Sequence, residues 1–248
     1  MLRALALVVA VLLTAACAPP DAAPPRASAS ATPSRSGLRY RPGSASPSAT
    51  FTSYAVDARR VRVGVYDRPG GTVVRTLANP QPSGAPLVFL LDSERGDWLR
   101  VHLPVRPNGS TGWVRRRDVT VRGVTYRLDV LRAAHELRLY RHGALVKTFP
   151  VGIGTTNTPT PGGTFYLKEL LRPPDPSGDY GPYAYGLSGF SNVLTSFRGG
   201  DGVIGIHGTN DPSSVGRDVS HGCIRLRNAD VTYLAKRLPL GTPVRVLP

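Results

Sequence analysis

The chain has 248 residues, carries 31 Lys and Arg against 16 Asp and Glu for a formal charge of +15 at pH 7, and contains two Cys. Two cysteines supply no disulfide framework, and the length, less a leader and a linker, suits two small domains that each hold their own core. The basic surface suits anionic polymers and lipid head groups, but no nucleic-acid motif accompanies it and the leader argues against a nucleic-acid partner.

Met1-Leu2-Arg3 places one cation before Ala4 to Ala16, a run of Ala, Leu and Val broken by one Thr. The run is short for a bilayer span and matches the core of a signal peptide better than a buried N-terminal helix. Its end, Leu13-Thr14-Ala15-Ala16-Cys17, resembles a bacterial lipobox, with Thr14 departing from the pattern. The resemblance implies a diacylglyceryl anchor on Cys17, with ordinary signal-peptidase cleavage as the alternative. Residues 18–53 are dominated by Ala, Pro and Ser with scattered Arg. Such a composition buries too little apolar surface to offset ordering entropy, so a disordered tether is expected.

Residues 54–122 read as a small β domain. Val61, Val63 and Val65 alternate, and Thr72 to Leu77, Leu87 to Leu91 and Trp98 to Leu103 are further short runs. Asn108-Gly109 is a hairpin turn signal ahead of Gly112-Trp113-Val114. The elements V-Y-D-R-P, G-D-W-L-R-V and T-G-W-V resemble a bacterial SH3-like barrel. Trp98 and Trp113 read as core residues ahead of groove lining.

Residues 123–248 form the second expected domain. Tyr126 to Leu131, Glu136 to Tyr140 and Leu145 to Ile153 read as a strand meander, followed by the tight corner Thr160-Pro161-Gly162-Gly163-Thr164-Phe165. His102, His135 and His142 have no Cys or carboxylate motif beside them and read as solvated or edge histidines. Arg172 to Gly189, rich in Pro, Gly and Tyr, reads as a lid in which Tyr180, Tyr183 and Tyr185 are candidates to cover a peptide.

The densest chemistry lies between Val203 and Leu226. Val203 to Ile206 is a buried-type strand ending at His207, and a polar loop leads to Ser220-His221-Gly222-Cys223 and a second apolar stub. Two strand ends joined in this way bring a thiol beside an imidazole, which removes its proton and returns it to a leaving amine. The amides of Gly222 and Cys223 are candidates to hold an oxyanion. Taken alone, Cys223 also fits a buried inert thiol, or a zinc site with His207 and His221 that lacks a clear fourth ligand. After the motif, Asn228 is a candidate N-cap. Val231, Leu234, Ala235 and Leu238 then fall at helical spacing, and Val244 to Leu247 closes as a strand.

The pattern I-H-G-T-N, a loop, then S-H-G-C-I-R-L resembles the signature of the YkuD-type L,D-transpeptidases over roughly Tyr126 to Pro248, and T-P-G-G-T-F matches that family as well. The resemblance implies Cys223 as nucleophile, His207 as general base oriented by the carbonyl of Gly208, and His221 shaping the pocket. It makes Arg225 a donor-substrate contact. Ser220 of the motif and Tyr183 of the lid are further candidate substrate contacts. It also implies peptidoglycan stem peptides as partners, sensitivity to carbapenems, and no metal or organic cofactor.

The expected fold is mainly β: a small SH3-like barrel, then a YkuD-type β-sandwich with one short C-terminal helix. The expected function is an exported, lipid-anchored L,D-transpeptidase making 3→3 cross-links. An L,D-carboxypeptidase on the same scaffold and a catalytically idle wall-binding lipoprotein are the alternatives.

Overall fold

The computed structural model describes residues 53–196 and 200–248. The expected leader, Cys17 and the linker up to residue 52 lie outside the described residues.

Seven strands build the first sheet: β1 (Ser53–Ala58), β2 (Arg62–Tyr66), β3 (Val73–Ala78), β4 (Val88–Arg95), β5 (Trp98–His102), β6 (Thr111–Arg115) and β7 (Val119–Val124). Their spatial order is β3-β2-β6-β5-β4-β1-β7. Alternation sends Val63, Val65, Leu99, Val101 and Val114 into one core with Val56 and Phe89. Each such side chain, fully buried, contributes about 1.5–3 kcal/mol of transfer free energy. Val61, read with this alternation, instead lies outside β2 and is exposed. β3 pairs only with β2 at the sheet edge and keeps mostly exposed side chains. Trp98 and Trp113 are half-buried rather than core. The Trp98 ring meets Tyr66 edge-on at 4.8 Å, with the Arg115 guanidinium over both rings.

The second sheet is formed by β8 (Tyr126–Leu131), β9 (Glu136–Arg141), β10 (Ala144–Pro150), β12 (Gly163–Leu171), β13 (Ala184–Phe190), β14 (Val203–His207), β16 (Ile224–Arg225) and β17 (Pro243–Leu247). A short parallel pair, β11 (Ile153–Gly154) and β15 (Asp218–Ser220), stands apart. The order β10-β9-β8-β17-β12-β13-β14-β16 places the last three site-bearing strands at one side. The chain is mainly β, and α1 (Asn228–Ala235) is the one α-helix among the described residues. α1 buries Val231 and Leu234 in the same core as Leu128, Leu139, Ile206 and Ile224. Its N-cap is Arg227, not Asn228, whose side chain is used elsewhere. On β8 the carboxylate of Asp129 is buried between Arg127 and Arg245. Burial would raise its pKa, but the hydrogen bonds from the two guanidinium groups outweigh this and hold it below the ordinary carboxylate range.

The last third of the expected lid is instead β13, a central strand paired with β12 and β14. A strand buried on both faces has no reason to alternate, so periodicity missed it. Its glycines have a packing cause. A Cβ on Gly186 would stand 2.3 Å from Glu169 Oε1, and one on Gly189 would stand 2.4 Å from Phe165 Cε1.

The two sheets share packing. Tyr166 of β12 is buried with Ala55, Val88, Leu90 and Val124. Asn108 donates from Nδ2 to the Phe190 carbonyl at 2.7 Å and accepts from the Phe190 N–H at 2.9 Å. Arg106 donates to the carbonyls of Ser191, Leu194 and Asp201. The first sheet thereby grips the segment that leads into β14.

Candidate active site

β14 and β16 run parallel, with Ile206 opposite Ile224 and His207 opposite Arg225. That register sets Cys223, the residue before β16, beside Gly205. The Gly205 N–H donates to Cys223 Sγ at 3.4 Å. A Cβ on Gly205 would stand 3.6 Å from His207 Cδ2 and 3.8 Å from Cys223 Sγ. Imidazole and thiol therefore face one small space that only glycine leaves empty. Cys223 is a free thiol and half-buried, open to solvent through a cleft.

His207 is 4 % exposed, and its Nδ1 lies 2.6 Å from the Gly208 carbonyl oxygen. A carbonyl only accepts, so Nδ1 carries the proton and Nε2 keeps its lone pair. Burial is the main cause pushing the His207 pKa down to about 4; the Gly208 carbonyl opposes it, Arg225 adds to it, and Asp179 opposes it. Burial likewise raises the Cys223 thiol, against the Gly205 N–H and Arg225. Both shifts favour the neutral forms, a thiol beside an unprotonated imidazole.

The turn holding Cys223 is braced from below. Ser220 Oγ donates to the Cys223 carbonyl at 2.6 Å and accepts from the Gly222 N–H at 3.1 Å. One expectation is corrected here: the Gly222 amide is taken up by Ser220 and is not free for an oxyanion. Ser220 is 2 % exposed, its hydroxyl is engaged in the turn, and it lines the small cavity beside Cys223 and His207. Gly222 has φ +112, with Ile204 Cδ1 2.9 Å from where a Cβ would sit. Thr160, from the T-P-G-G-T-F element, donates to the Gly222 carbonyl at 2.9 Å and accepts from the Gly154 N–H at 2.9 Å. Thr158 Oγ1 donates to the Ser220 carbonyl at 3.1 Å.

Cavities open on two sides of the pair. A small one of about 90 Å³ is lined by Asp179, Tyr180, His221 and Arg225 as well as His207 and Cys223. Arg225 Nε is buried without a hydrogen-bond partner among the described residues, a donor left unsatisfied at the cavity wall. His221 is exposed at its rim. A larger cavity of about 550 Å³ reaches the same thiol and imidazole and is lined by Glu169, Arg172, Tyr180 and Asp201 among others. Tyr180, not Tyr183, stands at both, its ring centroid 4.8 Å from that of His207. Tyr183 packs against the core, with Arg172 over its ring, and lines neither cavity. Tyr185 is fully buried and donates toward the carbonyls of Leu234 and Leu238.

Sequence reading missed Asn228. Its Oδ1 accepts the Thr209 N–H at 2.8 Å, and a Cβ on Gly208 or Gly181 would meet that same oxygen at 2.2 or 2.3 Å. Asn228 therefore pins the loop whose Gly208 carbonyl orients His207. A side chain at the first position of α1 and a glycine-rich loop far upstream give no local signal of that contact. Asn228→Ala strips the partner from an amide at Thr209, which is 3 % exposed. The expected loss is about 1–3 kcal/mol of unfolding free energy, measured by urea denaturation with an unchanged m-value.

Comparison with known proteins gives a consistent result. A profile of the YkuD L,D-transpeptidase catalytic domain matches residues 125–246. The YkuD protein of Bacillus licheniformis is 42% identical over 125 residues, covering 50% of this chain and 67% of its own length. The YkuD protein of Bacillus subtilis is 33% identical over 150 residues, covering 58% and 83%. A solved L,D-transpeptidase from Mycobacterium smegmatis aligns over 66% of this chain and 92% of its own at 16% identity, with a TM-score of 0.43.

Proposed function

The chain belongs to the YkuD L,D-transpeptidase family, and on that premise we propose that it forms 3→3 peptidoglycan cross-links through an acyl-enzyme on Cys223. The observation that carries this reading is the Cys223 thiol, open to a cleft and sharing one space with a neutral His207 whose tautomer the Gly208 carbonyl fixes.

Sγ attacks the carbonyl carbon of the third residue of a tetrapeptide stem as His207 Nε2 takes the thiol proton. The tetrahedral oxyanion is held by the backbone amide of Cys223. Collapse breaks the peptide bond to the terminal D-Ala, whose nitrogen receives the proton from His207. A primary amine of a second stem then attacks the thioester and gives a proton to His207. The thiolate leaves and takes that proton back. One peptide bond breaks and one forms, so the cycle needs no external energy source. Arg225 binds a carboxylate of the donor stem through its unpartnered Nε.

The N-terminal half belongs to the same proposal. The leader exports the chain, Cys17 anchors it to the outer face of the membrane, and an SH3-like module over residues 54–122 sits on the wall polymer. Carbapenems, whose strained carbonyl offers the same electrophile, acylate Cys223.

The test uses purified protein and tetrapeptide muropeptides, with and without an amine acceptor. The expected result is D-alanine release in both cases and cross-linked dimers only with the acceptor. D-alanine release with hydrolysed stems and no dimer would make the protein an L,D-carboxypeptidase.

A further inference from the structure

A line of residues crosses the sheet beneath the larger cavity. Glu169 on β12 pairs with Gly186 on β13, and Gly186 pairs with Gly205 on β14, whose amide touches the thiol of Cys223. Paired residues in antiparallel strands project to the same face. On that face a Cβ at Gly186 would meet Glu169 Oε1, and a Cβ at Gly205 would meet Cys223 Sγ. The Glu169 side chain lies over Gly186, and Gly205, which carries no side chain, stands between that carboxylate and the nucleophile. Adjacent cross-strand Cβ positions lie about 5 Å apart, and with 2.3 Å to the Glu169 oxygen and 3.8 Å to the Cys223 sulfur the carboxylate and thiol are separated by about 11 Å at most.

The carboxylate is costly where it stands. Glu169 is 7 % exposed, and its ion pair is with Lys168 Nζ at 3.3 Å. A buried carboxylate keeps room for further donors once one cation is in place. Arg172 and Asp201 also line this cavity, while Arg225 lines the other side of the thiol. An adjoining cavity of about 330 Å³ shares Glu169, Asp201 and Val203 and is walled by Gln81, Leu87 and Pro104 of the N-terminal half. The two cavities thus adjoin along Glu169, Asp201 and Val203, on the side toward the first sheet.

This inference rests on the acyl-transfer reading. We propose that Glu169 is the specificity residue for the acyl acceptor, holding the ammonium of a primary amine over Gly205 beside the Cys223 thioester. The carboxylate recruits the cation and is not the base. The ammonium loses one proton to solvent to free its lone pair; as the nitrogen attacks the thioester it gives a second proton to His207, from which the departing thiolate takes it. The two flanks of the thiol then carry opposite recognition groups: Arg225 for an anionic donor and Glu169 for a cationic acceptor.

The test follows, in each protein, the ratio of transfer product to hydrolysed donor. Wild type, Glu169→Gln and Glu169→Asp are given a tetrapeptide donor with either a lysine-type primary amine or uncharged hydroxylamine. The expected result is a ratio about tenfold lower for Glu169→Gln with the cationic amine, little changed with hydroxylamine, and partly restored in Glu169→Asp. An equal ratio in wild type and Glu169→Gln with the cationic amine would overturn the proposal. So would an equal fall for both acceptors, reproduced by Lys168→Met together with a lowered Tm, because Glu169 would then be only the structural partner of Lys168. A wild type that releases no D-alanine sinks the acyl-transfer reading itself, a result separate from either of these.

Discussion

Cys223→Ala is expected to abolish acyl-enzyme formation and to lower D-alanine release by about ten-thousand-fold or more, while the protein stays folded. The size follows from role. Removing the nucleophile deletes the covalent path, and only substrate binding and the backbone amide remain to help water. The fold tolerates the change because the sulfur points into a cleft; the turn around it is held by Ser220 and Thr160 through backbone carbonyls. Cys223→Ser keeps the shape and loses nearly as much, since a serine hydroxyl offers far less anion to the same imidazole. D-alanine release by the purified variants measures both.

His207→Gln is expected to cost about 100-fold to ten-thousand-fold in the acylation rate at neutral pH. Its signature is the pH profile. His207 accepts the thiol proton only when neutral, and its pKa is pushed down to about 4. Acylation by wild type should therefore stay level as pH falls from neutrality toward 5 and decline only as the ring protonates near 4. An acid limb near the ordinary histidine value, about 6.5, would contradict an imidazole whose pKa burial has lowered. In His207→Gln the internal base is gone, so the rate should climb about tenfold per pH unit with the thiolate fraction until the raised thiol pKa of Cys223 is passed.

The pair itself was legible in the sequence because a short local pattern fixes it. A strand ending at His207 and a stub starting after Cys223 pair in parallel, and both lie within 24 residues of chain, Val203 to Leu226. The orienting carbonyl of Gly208 is adjacent to His207 in sequence, so it too was readable. What was not legible depends on side chains meeting across long stretches. Asn228 reaches back to Thr209, Thr160 forward to Gly222, and Glu169 over Gly186. The choice among Tyr180, Tyr183 and Tyr185 turns on which face of a loop or strand each occupies, and an aperiodic Pro-Gly-Tyr segment does not encode it. β13 was hidden because its glycines make room for neighbours instead of marking a turn. The amide of Gly222 shows the reverse error: the residue type fits an oxyanion donor, but Ser220 two positions earlier has already claimed it.

The catalytic reading is tested most directly by trapping the covalent intermediate. Wild-type protein incubated with a carbapenem and analysed by intact-mass and peptide mass spectrometry should gain one drug equivalent, carried on the peptide containing Cys223 and absent from Cys223→Ala. An adduct on any other residue, or none at all from a folded wild type, would contradict the account.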